Sequence, residues 1–125
     1  GSGDLLVGGL AASTASAGAA VVRRVPAVIT TTGQSIPNGS LSRIDTTSTV
    51  IAAVNLADPS VSAGQGFVLI KVTTDTNSFT LKSPSGNINN VSGSTGIAFS
   101  STALLRIVGD CDGTDWWVTS ALLST

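Results

Sequence analysis

Apolar residues recur at every second position over short runs of this chain, and clusters of Gly, Pro, Asn, Asp and Ser separate the runs. A period of two marks a strand, because successive side chains point to opposite faces. The pattern predicts strands over residues 21–25, 28–32, 41–44, 50–56, 67–73, 78–82, 87–91, 96–100, 104–108 and 116–119. Pro26 ends the first and Asp58-Pro59 the fourth, since proline removes a ladder donor and restricts the residue before it. Gly33-Gln34, Pro37-Asn38-Gly39 and Pro84-Ser85-Gly86 supply turns, and Gly64-Gln65-Gly66 leads into the run at 67–73. The last two runs flank Asp112-Gly113, a strong hairpin signal. Many short strands at regular spacing predict an all-β fold, an antiparallel β-sandwich of the jelly-roll kind.

The alternation also assigns faces. Over 67–72, Phe67, Leu69 and Lys71 share one side, and Val68, Ile70 and Val72 the other. Over 104–108, Leu105 and Ile107 oppose Leu104, Arg106 and Val108, while Phe79 and Leu81 oppose Thr80 and Lys82. Trp116 shares a side with Val118 and reads as core, so Trp117 points outward. A sandwich strand wetted on one side should carry one polar face. The runs at 67–72 and 104–108 are apolar on both sides apart from one cation each. No predicted helix can cover the second side, so other copies of the chain are expected to do so.

Composition narrows the function classes. The 125 residues suffice for one domain. There is no Glu, His, Met or Tyr, and all seven acidic residues are Asp. Scarce helix formers agree with strands, as do 34 Ser and Thr, which suit strand surfaces and turns. A net charge of -1 offers no basic patch, so no nucleic-acid partner is expected. Only 10% of residues are charged, which implies a Ser/Thr-rich surface or one buried against another subunit. The single cysteine, Cys111, excludes an internal disulfide.

Residues 1–25 stand apart from a head domain over 26–125. Gly1-Ser2 reads as an expression scar. Residues 3–20, rich in Ala, Gly and Ser, form either a flexible linker or a close-packed stalk where several chains meet. Residues 5–22 carry no charge over 18 positions, but only six are large aliphatics. Neither a membrane span nor a secretory signal is therefore expected.

Candidate chemistry is sparse. Without His, the usual general base and nucleophilic triad are missing, so no enzymatic activity and no cofactor are expected. Asp110, Asp112 and Asp115 form the one acidic cluster. Turn chemistry is their first reading, because Asp bonds its local backbone. A hard-cation site and paired-carboxylate catalysis rank behind it, and no metal is assigned. Cys111 has no His to activate it. Trp117 reads as a subunit-interface anchor, a partial core residue or a stacking platform for a sugar. Loops 74–78, 83–90 and 110–115 are richest in hydrogen-bonding side chains. Asp75, Asn77, Asn87 and Asn89, with Trp117, are the candidate ligand-binding residues, suited to glycan hydroxyls.

Four segments in fixed order carry a family resemblance: Ser62-Ala-Gly-Gln-Gly-Phe-Val-Leu-Ile-Lys-Val, Asn77-Ser-Phe-Thr-Leu with its Pro-Ser-Gly turn, Val91-Ser-Gly-Ser-Thr, and Leu105-Arg-Ile-Val-Gly-Asp-Cys-Asp-Gly-Thr-Asp-Trp-Trp-Val. Together they resemble the β-rich modules of bacteriophage tail fibres and tailspikes, over about residues 44–119. Gly113, Thr114 and Trp116 stand where that family's closing motif has them, whereas Asp115 replaces its usual Asn and Cys111 is unusual in the turn. The resemblance implies a homotrimer on the virion, extracellular and not membrane-embedded. It also implies a role in host attachment or in locking the fibre's end, and it supplies no fixed binding residues. The first expectation is a trimeric, non-enzymatic adhesin head that binds a bacterial surface glycan or an outer-membrane receptor. The alternatives are a trimerisation or capping module without a ligand, and a carbohydrate-binding module from a secreted enzyme. Five aromatics, most of them in apolar patterns, offer little to the last.

Overall fold

The computed structural model describes residues 26–123. Within them the chain is all-β, and a single 3-10 turn at Pro59–Val61 is the only helical element. The strands are β1 Val28–Ile29, β2 Leu41–Ile44, β3 Ile51–Asn55, β4 Gly66–Lys71, β5 Phe79–Lys82, β6 Asn87–Ile88, β7 Val91–Ser92, β8 Ile97–Phe99, β9 Leu105–Cys111 and β10 Trp116–Leu122. One sheet has the order β1-β2-β4-β9-β10-β6-β7 and the other β3-β5-β8. Ile29, Ile44, Leu69, Ile107 and Trp116 from the larger sheet meet Ile51, Val54, Phe79 and Leu81 from the smaller in one core. The architecture is therefore sandwich-like. The strand expected at 21–25, and the readings made for residues 1–25, fall outside the described residues.

Local chemistry explains where the strands depart from the apolar pattern. The run at 28–32 shortens to β1 because the Gln34 side-chain oxygen accepts from the Thr30 and Thr31 amides at 2.7 and 3.0 Å, which turns the chain away. The run at 87–91 is two strands. Asn89 and Asn90 adopt φ 51° and 67° and form a two-residue hairpin turn between β6 and β7. Asn tolerates this left-handed region better than most side chains. The expected final hairpin is present and longer than its apolar runs, pairing Leu105 with Leu122 through to Cys111 with Trp116. Gly113 closes its turn at φ 95°.

The expected antiparallel jelly-roll arrangement does not hold, because the sheets are mixed. β1–β2, β2–β4, β3–β5 and β10–β6 are parallel, whereas β4–β9, β9–β10, β5–β8 and β6–β7 are antiparallel. The cause is the path of the chain. From β1 it crosses to the edge of the smaller sheet, where Ser35 bridges Asn55 in parallel, then runs β2, β3, β4 and β5 in alternate sheets. Parallel neighbours need a long crossover; for β2–β4 and β3–β5 it is a strand of the opposite sheet, and for β1–β2 it is the segment that bridges at Ser35. The result is three coils of a flattened two-sheet solenoid, closed by β8, β9 and β10. Side-chain alternation records faces and carries no information on direction.

Inside, the faces follow the alternation. Phe67 and Leu69 are buried on β4, and Leu105, Ile107, Gly109 and Cys111 on β9. Gly109 lies opposite Phe67, and a Cβ there would overlap the Phe67 ring. Its absence lets that ring meet Trp116 edge-on at 5.5 Å and 64°. Lys71 shares this inner face and is fully buried. Its ammonium donates to the Thr73 and Asp75 carbonyl oxygens at 2.6 and 3.3 Å, so backbone dipoles solvate the charge in place of water.

Candidate functional site

The outward face of the larger sheet is the first candidate. Strand register sets its rows. One row runs Leu41, Val68, Val108 and Thr119, and the next runs Val28, Arg43, Ile70, Arg106 and Ala121. A third places Gly66, Asp110 and Trp117 side by side. Leu41 is 53% exposed and Val28 and Trp117 are also open. A solvent-facing sheet should be polar here, yet aliphatic residues occupy the centre and two arginines flank Ile70. A shallow groove of about 340 Å³ lies over Leu41, Gly66, Val68 and Val108, with Asp110 on its wall.

Trp117 is held on this face by the closing turn. Its indole N–H donates to Asp112 Oδ2 at 2.9 Å. Asp112 Oδ1 accepts from the Thr114 and Asp115 amides at 2.9 and 2.8 Å. The indole bond, followed by these two backbone donors, lowers the Asp112 carboxyl below its ordinary value. Asp115 turns the other way and accepts from the Asn87 amide at 2.8 Å, tying β6 to the turn. Asp110 is exposed on the sheet face, across the strand from Trp117. The three aspartates thus serve three separate environments, and among the described residues no group of His, Cys, Asp or Glu side chains is arranged to hold a metal.

The other expected site residues lie at two ends of the sandwich. Asp75 and Asn77 follow β4, at the end of Lys71 and Leu105. Asp75 Oδ1 accepts from the Thr46 hydroxyl at 2.8 Å and the Asn77 amide at 3.0 Å, and Asn77 Nδ2 donates to the Thr46 carbonyl at 2.8 Å. Burial pushes the Asp75 carboxyl up, but hydrogen bonds from Thr73, Thr46 and Asn77 outweigh it and leave the group lowered. Its Oδ2 is shielded with no partner among the described residues. Asn87 and Asn89 lie near the closing turn. Asn89 behaves as a piece of strand, its Nδ2 donating to the Val118 carbonyl and its Oδ1 accepting from the Val118 amide, both at 2.8 Å. Asp75, Asn77 and Asn89 therefore spend side-chain hydrogen bonds on the protein's own backbone, and the four residues do not converge.

Polar side chains with unspent capacity gather elsewhere. Two successive coils turn at the same end of the sandwich, at residues 33–38 and 56–65, and leave a cleft of about 500 Å³ between them. Ile36 and Leu56 form its floor, and Ser35, Asn38, Val61 and Gln65 its walls. Val61 is 74% exposed, the most open large hydrophobic residue among those described. In the sequence, Gly33-Gln34 and Pro37-Asn38-Gly39 carry only turn signals, and Gly64-Gln65-Gly66 only the approach to a strand. Val61 stands between Ser60 and Ser62 in the sequence and carries no signal of a site there; Asn38 and Gln65 join it only once the coils stack.

No helix among the described residues is long and apolar enough to cross a membrane. No family model, curated protein or solved structure matches the chain.

Proposed function

We propose that this chain is a fibre or tailspike module of a bacteriophage, assembling as a homotrimer on the virion and acting without catalysis in attachment to the host surface. One observation carries the reading: Leu41, Val68, Ile70 and Val108 form an apolar patch across three neighbouring strands on the outward face of the larger sheet, flanked by Arg43 and Arg106. Full burial of each Leu, Ile or Val on such a face contributes roughly 1.5–3 kcal/mol, so the rows through Val68, Val108 and Ile70 favour a covered state. The order of motifs over residues 44–119 supports the phage assignment. The absence of His and Glu, with Asp112 and Asp115 committed to backbone amides, supports a non-enzymatic role. The capping alternative draws on the commitment of Asp75, Asn77 and Asn89 to structural bonds.

Sedimentation at micromolar concentration tests the assembly, with three times the chain mass expected. Ile70→Glu places a carboxylate on this face, in the row beside Val68 and Val108, and is expected to give a folded monomer. A monomeric parent, or an unchanged trimer in the variant, refutes the interface. Labelled protein that binds susceptible bacteria and spares resistant ones separates attachment from capping.

A further inference from the structure

We propose that the cleft between the turns at residues 33–38 and 56–65 binds an uncharged, N-acetylated sugar residue. This deepens the attachment reading and rests on it. The site is concave, with a buried apolar floor at Ile36 and Leu56 and polar groups on its walls. Its volume of about 500 Å³ falls in the range of roughly 300–1,000 Å³ usual for small-molecule pockets.

The rim is rigid before any ligand arrives. Pro59 is buried, and Asp58 caps the 3-10 turn by accepting from the Ser60 amide at 3.0 Å. Asn38 Nδ2 donates to the Ser62 hydroxyl at 2.9 Å, and that hydroxyl donates to the Asp58 carbonyl at 2.7 Å. Gln65 stands on a pinned backbone, its amide donating to the Ser62 carbonyl and its carbonyl accepting from the Cys111 amide, both at 2.9 Å. Among the described residues, no hydrogen bond engages the Gln65 side chain or the Ser35 hydroxyl. The ordering cost of binding therefore falls on the Gln65 side chain, since the backbone that carries it is already held.

Chemistry selects the ligand. No lining residue is charged, and the carboxylate of Asp58, next in the chain to the lining residue Ala57, is occupied by Ser60 and Ser85. An anionic sugar would find no cation to pair with among the described lining residues. Side-chain amides at Asn38 and Gln65 complement the donor and acceptor of an acetamido group, and Ser35 suits a ring hydroxyl. The acetyl methyl would rest on Val61 and the apolar floor, which accounts for a valine left so open. Trp117 is a weaker candidate, since its N–H is spent on Asp112 and it lies on the face assigned to assembly.

Nuclear magnetic resonance titration of the labelled chain with tri-N-acetylchitotriose, and with maltotriose as a sugar lacking acetamido groups, tests the site. Saturable shifts at Ser35, Asn38, Val61 and Gln65 with the first sugar, and none with the second, are expected. Gln65→Ala and Val61→Ser should each weaken binding about tenfold, with the spectrum otherwise that of the folded parent. Absence of shifts at millimolar sugar, equal shifts with maltotriose, perturbation centred on Trp117, or unchanged affinity in Gln65→Ala overturns the proposal. Sedimentation of the same samples keeps the two readings apart. A monomer that binds the sugar sinks the trimer and leaves the site, and a trimer that ignores it does the reverse.

Discussion

Replacing Trp116 should cost this domain most of its stability, and replacing its neighbour Trp117 very little. Trp116 has no exposed surface. Truncation of a buried Trp to Ala typically costs about 3–5 kcal/mol through lost burial and the cavity left behind. The edge contact with Phe67 adds about 0.5–1.5 kcal/mol beyond area. The indole N–H also donates to the Ala57 carbonyl at 3.0 Å, joining β10 to the chain leaving β3. Removing that donor leaves a part-buried acceptor unpaired, at about 1–3 kcal/mol. These terms overlap, but even the first alone is comparable to a marginal domain's total of about 5 kcal/mol. Within a single chain Trp117 is 42% exposed and loses only its bond to Asp112, so its replacement should cost the chain's own fold about 0.5 kcal/mol, the surface norm. Urea unfolding followed by far-ultraviolet circular dichroism provides the comparison. Trp116→Phe serves as a second variant that keeps the ring and removes the N–H, and it should lie between Trp116→Ala and the parent. Equal midpoints for Trp116→Ala and Trp117→Ala would refute the assignment of faces on β10.

Two further expectations concern charge. Lys71→Met removes a buried ammonium but strands the Thr73 and Asp75 carbonyls, so a loss of about 1–3 kcal/mol is expected, with faster hydrogen exchange at the Asn77 amide. A stabilised variant would show that desolvating the ammonium outweighs its bonds. In acid, the Asp45, Asp58, Asp75 and Asp112 carboxyls all lie below their ordinary value in the folded chain. Their contribution is complete above the unfolded value of about 3.9 and is lost as pH falls through the lower folded values. With no His to titrate, the melting temperature should hold from neutrality down to about pH 5 and drop below about pH 4. A decline starting near pH 6 would count against this account.

Alternation made the strands and their faces legible. Phe67 and Leu69 lie inside and Val68 and Ile70 outside, as the period of two requires. Leu105 and Ile107 behave likewise against Arg106. Lys71 obeyed the period against its own chemistry, because two carbonyls beyond the strand end were available to receive its ammonium. Strand direction was not legible. Nothing in the residues at 41–44 and 67–72 distinguishes a parallel neighbour from an antiparallel one, and the distinction arises from β3 crossing the opposite sheet. The same long-range cause hid the cleft, whose walls come from turns some twenty-five residues apart in sequence. Asn89 misled for the opposite reason. Its side chain is polar and close to an exposed loop, but Val118 leaves one amide and one carbonyl that an Asn side chain matches as a pair.

The proposed assembly face and the proposed sugar cleft draw on different parts of the chain, and this bears on how attachment would work. The rows of Leu41, Val68 and Val108 come from paired strands, whose register sets the side chains side by side at about 4.8 Å. The cleft needs turns, where Ser35, Val61 and Gln65 can change without disturbing a ladder. No residue lines both the groove on the sheet face and the cleft. Recognition can therefore vary while assembly is conserved by physics. A cleft with few polar groups and a single methyl contact gives weak binding at one site. Joining sites in one rigid assembly makes the later contacts intramolecular, which raises retention by roughly 10²–10⁴ without any new contact. On these terms the apolar face contributes to attachment through valency, and a monomeric Ile70→Glu variant should keep its affinity for the free sugar while losing its hold on a sugar-coated surface.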